Sequence, residues 1–417
     1  MQLTLKSTSV ISVKYLACSL CISICMAGAL IGCEHESEKS VQISTQTRNL
    51  ATVPAKPCTV NEVEGNEQVD KSVMKKEWKN TLFNRIGVAP VDGGLQMDDY
   101  WVWGSSVIKG DDGLFHMYAS RWPKSLIFHP GWVVASEIVH AISETAQGPY
   151  KFSDVAMGAR GAQYFDGRAV HNPRVIKHKD LYVMFYMGST HPFEDINTQE
   201  SITFKSPVVM VAFANKRIGI ATSKSPYGPW ERRDEPVLPT KPDTFYSYHT
   251  SNPAPWINED GSVDLIFKAR SYTDKDNMVI GIAKAPSIDG PFEVITDEPI
   301  FSKKKFGVIE DPFIWKDESG YHMLAKDQHG DITGHKHSGV LAHSIDAVHW
   351  ELDKEPLAYT KEVEWSDGNT IKMGKLDRPF GLVQEGKLTH LFFASMDGPG
   401  GFNQATKSWN MVLPLKN

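Results

Sequence analysis

The chain has 417 residues, 41% hydrophobic and 23% charged, an ordinary globular mix with enough apolar material for a large core. Its 44 basic and 50 acidic residues leave a net charge of −6 with no long basic run. That excludes the electrostatic footprint of a nucleic-acid partner. A mean hydropathy of −0.31 and a single long apolar stretch exclude a multi-span membrane protein.

The apolar stretch comes first in chain order. Lys6 and Lys14 precede and flank the run Tyr15–Gly32, which ends Leu30, Ile31, Gly32, Cys33, the layout of a signal peptide. The ending resembles a bacterial lipobox, so residues 1–32 are expected to be a lipoprotein signal and Cys33 the lipidated mature N-terminus; a plain anchor or a standard signal cleaved elsewhere is the alternative. Glu34 after the cysteine favours the outer membrane by analogy with enteric sorting, with the periplasmic or surface face left open. Cys18, Cys21 and Cys25 leave with the signal, and Cys58 then has no partner for an intramolecular disulfide. Losing Lys6 and Lys14 moves the charge from −6 to −8. Residues 33–75 are polar with scattered proline and read as a tether.

Residues 76–417 repeat themselves. A β-rich run, a tight turn and a second β-rich run recur five times, opening at Gly104, Asn172, Asn252, Asp311 and Arg378. Aligned on the following residue (Ser105, Pro173, Pro253, Pro312, Pro379), the copies are 68, 80, 59 and 67 residues apart. Gly- and Asp-rich turns join the paired runs, as hairpins require. A second unit follows each of the first four copies: Ile138–Ser143 with Gly148–Tyr150, Ile218–Ser223 with Gly228–Trp230, Val279–Ala283 with Gly290–Phe292, and Gly339–Ser344 with His349 and Trp350. Four strands per repeat and five repeats predict an all-β, five-bladed β-propeller with four-stranded antiparallel blades. The fifth copy lacks its outer strand, and Phe83–Val88 is expected to supply it.

These motifs resemble the five-bladed glycosidases around glycoside hydrolase family 43 and its relatives in families 32, 62, 68, 117 and 130. The resemblance covers roughly residues 80–417 and rests most on Val170–Arg174, Glu310–Trp315 with Leu324–Asp327, and Asp377–Phe380. It implies hydrolysis of a glycosidic bond, with inversion, by a pair of carboxyl groups. Carried over, the family pattern makes Asp98 or Asp99 the base, Asp166 the residue that tunes the acid, and Glu310 the acid. Two departures stand out: Gly104 occupies the position of the first-blade Asp, and Asn252 that of the third-blade Glu.

A propeller gathers the starts of its innermost strands around one mouth of its channel. Trp103, His171, Asn172, His249, Asn252, Asp311, Asp377 and Arg378 are therefore expected to bind substrate. For Asp311 a turn-capping role is the alternative. Trp101, Trp103, Trp122 and Trp132 offer stacking faces for sugar rings, whereas Trp256 and Trp315 read as inter-blade core. Arg168 and Arg378 are expected either to grip an anionic group such as a uronate or sulfate or to pair with Asp166 and Asp377. His329, His335 and His337 match no strong zinc spacing. The resemblance requires no cofactor and admits a structural calcium ion in the channel; any metal ligand is otherwise unassigned.

No nucleophile elbow, P-loop, dinucleotide fingerprint or zincin motif is present. The expectation is a monomeric, lipid-anchored, exo-acting glycosidase for plant or algal oligosaccharides, touching the membrane through its lipid alone. A non-catalytic glycan-binding lipoprotein and a purely structural envelope propeller are the alternatives.

Overall fold

The computed structural model describes residues 82–196, 201–398 and 400–416. The expected signal over residues 1–32, Cys33, Cys58 and the expected tether over residues 33–75 lie outside these residues. Among the described residues no helix is long and apolar enough to cross a membrane.

Four antiparallel meanders and one three-stranded sheet follow each other along the chain. Blade one is β1 (Tyr100–Lys109), β2 (Phe115–Pro123), β3 (Glu137–Ser143) and β4 (Lys151–Met157). Blade two is β5 (Ala169–His178), β6 (Leu181–Ser189), β7 (Arg217–Ser223) and β8 (Glu231–Arg232). Blade three is β9 (His249–Ile257), β10 (Val263–Arg270), β11 (Val279–Ala285) and β12 (Glu293–Val294). Blade four is β13 (Ile309–Asp317), β14 (Gly320–Asp327), β15 (Gly339–Ser344) and β16 (Trp350–Tyr359). A small hairpin, β17 (Glu362–Glu364) and β18 (Thr370–Lys372), precedes blade five: β19 (Lys375–Gln384), β20 (Lys387–Met396) and β21 (Ser408–Pro414). Each innermost strand touches the next, β1 to β5 to β9 to β13 to β19 and back to β1, so the ring is closed.

The packing explains the sequence pattern. Inner strands such as β6 are buried almost throughout because neighbouring blades cover both faces, while outer β4 is largely exposed. Tyr118 and Ile138 meet Val175 and Met184 between blades one and two. Val183 and Phe185 meet Leu265 and Phe267 between two and three, and Ile266 and Ile280 meet Ile314 and Met323 between three and four. Trp315, with Phe313, joins the cluster shared with blades five and one, as its reading as core required.

The ring closes at the chain ends, though not as expected. Leu82–Arg85 is a helical turn, α1, rather than strand. Only single bridges follow: Ile86 to Leu415, Ala89 to Trp365 and Leu95 to Asn410. Between them Pro90 and a Gly93–Gly94 turn break the ladder. Gly94 has φ 76°, and a Cβ there would lie 1.7 Å from the Asn410 carbonyl oxygen, so the close approach to β21 needs glycine.

Two helices rise from the strand connections on the side where inner strands begin. α2 (Phe128–Ala135) joins β2 to β3, and α3 (Pro207–Ala214) joins β6 to β7. Their apolar sides meet Trp101, Trp103, Trp122 and Met396 in a cluster at this mouth.

Candidate functional site

The centre is built by five equivalent irregularities. In β1, β5, β9, β13 and β19 the pairing register slips beside the slot residue, and such bulges re-aim side chains. Gly104, Asn172, Asn252, Asp311 and Arg378 take φ of 27°, 56°, 50°, 59° and 55°. Gly, Asn and Asp accept this left-handed region most readily.

Their side chains form a polar ring. Asn172 Nδ2 donates to Asn252 Oδ1 at 3.1 Å, and Asn252 Nδ2 to Asp311 Oδ1 at 2.7 Å. Arg378 donates to Asp311 from Nη1 and from its backbone N–H, each at 3.2 Å. Arg378 fills the space beside Gly104, where a Cβ would lie 3.3 Å from Arg378 Nε and 3.0 Å from Asn172 Oδ1. Arg174 ties the blades together, donating to the Ser105 carbonyl at 2.8 Å and the Pro379 carbonyl at 3.0 Å. Gly104→Ala combines a strained φ with this crowding and is expected to cost about 1–3 kcal/mol, read from urea denaturation. Unchanged stability would show that the ring has slack.

One residue earlier lie Trp103, His171, Ser251, Glu310 and Asp377. They face Ser120, Met187, Lys268, Lys326 and Ala394 on the second strands. Glu310 is therefore held between two ammonium groups. Lys268 Nζ lies 2.6 Å from Oε1 and Lys326 Nζ 2.9 Å from Oε2. Lys326 also reaches Asp377 Oδ2 at 2.9 Å and Asp311 Oδ2 at 3.6 Å. Burial alone would raise the Glu310 pKa, but the two lysines outweigh it and hold the carboxyl well below its ordinary range. Burial likewise opposes the charge on Lys326, and Asp377, Glu310 and Asp311 raise its pKa well above the usual lysine value.

An aromatic wall stands beside this cluster. Trp132 stacks on His171 with centroids 5.0 Å apart and donates from Nε1 to His129 Nδ1 at 2.9 Å. Ser136 Oγ lies 2.8 Å from His171 Nδ1. Lys216 sits on the Phe213 face, 3.6 Å from its centroid, and 5.5 Å from that of Trp132. His249 meets Phe213 edge-on at 5.2 Å. Burial holds His171 and His249 neutral, helped by Arg378 and Lys216 at His171 and by Lys216 and Lys268 at His249.

The structure thus gathers Asn172, Asn252, Asp311, Arg378, Glu310, Asp377, His171 and His249, and leaves five expected residues apart. Asp98 and Asp99 are exposed in the turn before β1. Asp166 is buried against Arg160 at 2.6 Å, Tyr186 at 2.7 Å and Arg232 at 3.5 Å, sharing no partner with Glu310. Its place, seven residues before Pro173, falls in a connection between blades rather than in the ring. Arg168 pairs with Asp195 and the Phe193 carbonyl, not with Asp166, and Arg378 pairs with Asp311, not Asp377. Trp103 is packed on Phe128 at 5.0 Å and Phe402 at 5.9 Å, which makes it core rather than a stacking face.

Sequence reasoning missed Lys216, Lys268, Lys326, His129 and Phe213. The available signal was a lysine interrupting each of two apolar runs, Leu265–Ala269 and Met323–Ala325 with Lys326.

His329 and His335 are exposed, and no group of three or more His, Cys, Asp or Glu side chains gathers to hold a metal among the described residues.

No protein-family model matches the chain, and no curated protein matches it. Solved structures do match in fold. A family 117 glycoside hydrolase from the marine bacterium Zobellia galactanivorans is 17% identical, with a TM-score of 0.55 over 79% of this chain and 89% of that one. Another glycoside hydrolase is 13% identical, with a TM-score of 0.58 over 84% of this chain and 96% of its own. A thermostable family-43 glycoside hydrolase is 13% identical, with a TM-score of 0.53 over 79% and 96%. The expected five-bladed propeller is the observed one, with three strands rather than four in blade five, and these hydrolases match it in fold.

Proposed function

We propose that the chain is a glycoside hydrolase acting on the end of an oligosaccharide at the mouth described above. The observation that carries this reading is Glu310, a carboxylate held ionised between Lys268 and Lys326 and still 15% exposed where the innermost strands begin. The same fold in glycoside hydrolases supports the reading. Held ionised by two lysines, Glu310 is suited to attack carbon or to stabilise developing positive charge on the sugar, rather than to donate a proton as the family pattern assigns. Lipid anchoring at the outer membrane through Cys33 remains part of the proposal.

One observation favours a second reading, glycan binding without hydrolysis. Lys326 bridges Glu310 and Asp377 and so occupies the gap in which a glycosidic bond would lie between two carboxyl groups. Product analysis on plant and algal oligosaccharides separates the two. Hydrolysis predicts release of a monosaccharide, with Glu310→Gln losing about 10²–10⁴-fold in turnover while still binding. Binding of one glycan by both proteins with no release would overturn the hydrolase reading.

A further inference from the structure

Most cations at the mouth are matched. Lys268 and Lys326 hold Glu310 and Asp377, and Arg378 holds Asp311. One corner differs, where the connection from α3 to β7 passes over the start of β9 and the end of β10. Lys216 is 1% exposed and rests on the faces of Phe213 and Trp132, with no hydrogen bond or ion pair among the described residues. His249 is 0% exposed and neither ring nitrogen has a partner. Arg270, opposite His249 in the β9–β10 ladder, donates from Nη1 to the Lys275 carbonyl but has Nε buried and unpaired.

We propose that Lys216, His249 and Arg270 form a subsite for an anionic substituent of the sugar, a carboxylate or a sulfate; this rests on the carbohydrate reading above.

Buried polar groups are almost always paired, and a buried charge without a counter-ion costs several kcal/mol. A sugar hydroxyl would satisfy a donor here but leave the positive charge of the corner unopposed. An anion satisfies the donors and the charge together, and in a low-dielectric site charge-assisted hydrogen bonds are the strong ones. The groups facing this corner are Lys268, Arg217, Glu310, His129, His171 and Tyr248, and the one carboxylate among them is already taken by Lys268 and Lys326. Burial, then Lys268 and Arg270, push the Lys216 pKa down in the empty corner. An arriving anion reverses that, so binding takes up protons and weakens as pH rises.

The test uses the whole protein and matched probes in calorimetry: an oligogalacturonide and its carboxyl-reduced twin, and a sulfated galactan oligosaccharide and its desulfated twin. At least one anionic probe is expected to bind about 10–100-fold tighter than its neutral twin, with the ratio shrinking in high salt. Lys216→Met keeps the stem on Phe213 and is expected to bring the ratio near one without weakening the neutral twin. Lys216→Arg is expected to retain part of it. Selectivity in one pair alone identifies the anion as carboxylate or sulfate. Should Lys216→Met fail to fold, Arg270→Gln and His249→Phe report the same ratio.

A ratio near one for both pairs in the unaltered protein, or a ratio that survives Lys216→Met, overturns the subsite. If neutral twins are hydrolysed without charge selectivity, the hydrolase reading stands and the subsite falls. Lys216-dependent selectivity without product release has the opposite meaning. Failure to bind any of the four probes sinks both.

Discussion

Lowering the pH from 7 to 5 is expected to destabilise the folded protein steeply, because its mouth is built on histidines buried as neutral rings. Burial pushes His129 down from an ordinary value of 6.5 to about 4, and nearby Lys216, Lys375 and Lys268 add to the effect against the opposing charge of Glu310. His171 and His249 are pushed well below 6.5, first by burial and then by neighbouring cations. Below pH 6.5 the unfolded chain therefore binds protons that the folded one refuses. The stabilisation is fully present above the unfolded value and is lost as the pH falls through it. Each such histidine contributes up to about 1.4 kcal/mol per pH unit. Glu310 works in a separate window: its folded pKa lies below the ordinary 4.5, so its loss comes at still lower pH. Urea denaturation at pH 7, 6 and 5 reads the slope. His249→Phe, placed beside Phe213 and Tyr248, is expected to flatten it by one histidine's share. Stability that stays level between pH 7 and 5 would show that these rings take up protons in the fold as readily as in the unfolded chain.

The blade count was legible because each repeat carries its own hairpin chemistry and its own proline slot, except the first, where Ser105 stands. The ring was legible for the same reason: once Ser105, Pro173, Pro253, Pro312 and Pro379 are superimposed, the residues before them must converge whatever their identity. Counting further back failed. Asp98 and Asp166 share an offset from the slot, but connections between blades have no common geometry, and one is exposed while the other is locked among two arginines and a tyrosine. The lysines were illegible for a different reason. Lys268 and Lys326 lie on second strands, opposite Ser251 and Glu310, and only the cross-strand register shows that they point at the same centre. Lys216 and Phe213 belong to an insertion that no other blade repeats in length, so no alignment of repeats could place them. The Asn252 departure becomes physically sensible in the structure, since an amide both accepts from Asn172 and donates to Asp311, which a carboxylate could not do.

Lys326→Met is expected to cost about 3–5 kcal/mol, the price of breaking a buried ion pair from one side. The loss falls unevenly on the three carboxylates that share this ammonium. Glu310 keeps Lys268 at 2.6 Å, and Asp311 keeps Arg378 and Asn252. Asp377 keeps no hydrogen bond: its Oδ2 has Lys326 at 2.9 Å and its Oδ1 is already buried without a partner, which leaves it only the more distant charges of Lys375 and Lys361. The cost of the variant is thus chiefly that of Asp377 stranded as a buried charge. It follows that Asp377→Asn, introduced into Lys326→Met, should restore much of the loss, because an amide carries no charge to strand. The two substitutions are then strongly non-additive, with a coupling on the order of 1–3 kcal/mol in a double-mutant cycle. Additive losses would place the cost elsewhere and would mean that Lys326 serves Glu310 rather than Asp377. The same cycle bears on chemistry, since either single change leaves Glu310 with Lys268, while Lys268→Met leaves it with Lys326. A carboxylate that needs both ammonium groups to stay ionised should lose turnover with either lysine, and its pH profile should shift upward in each.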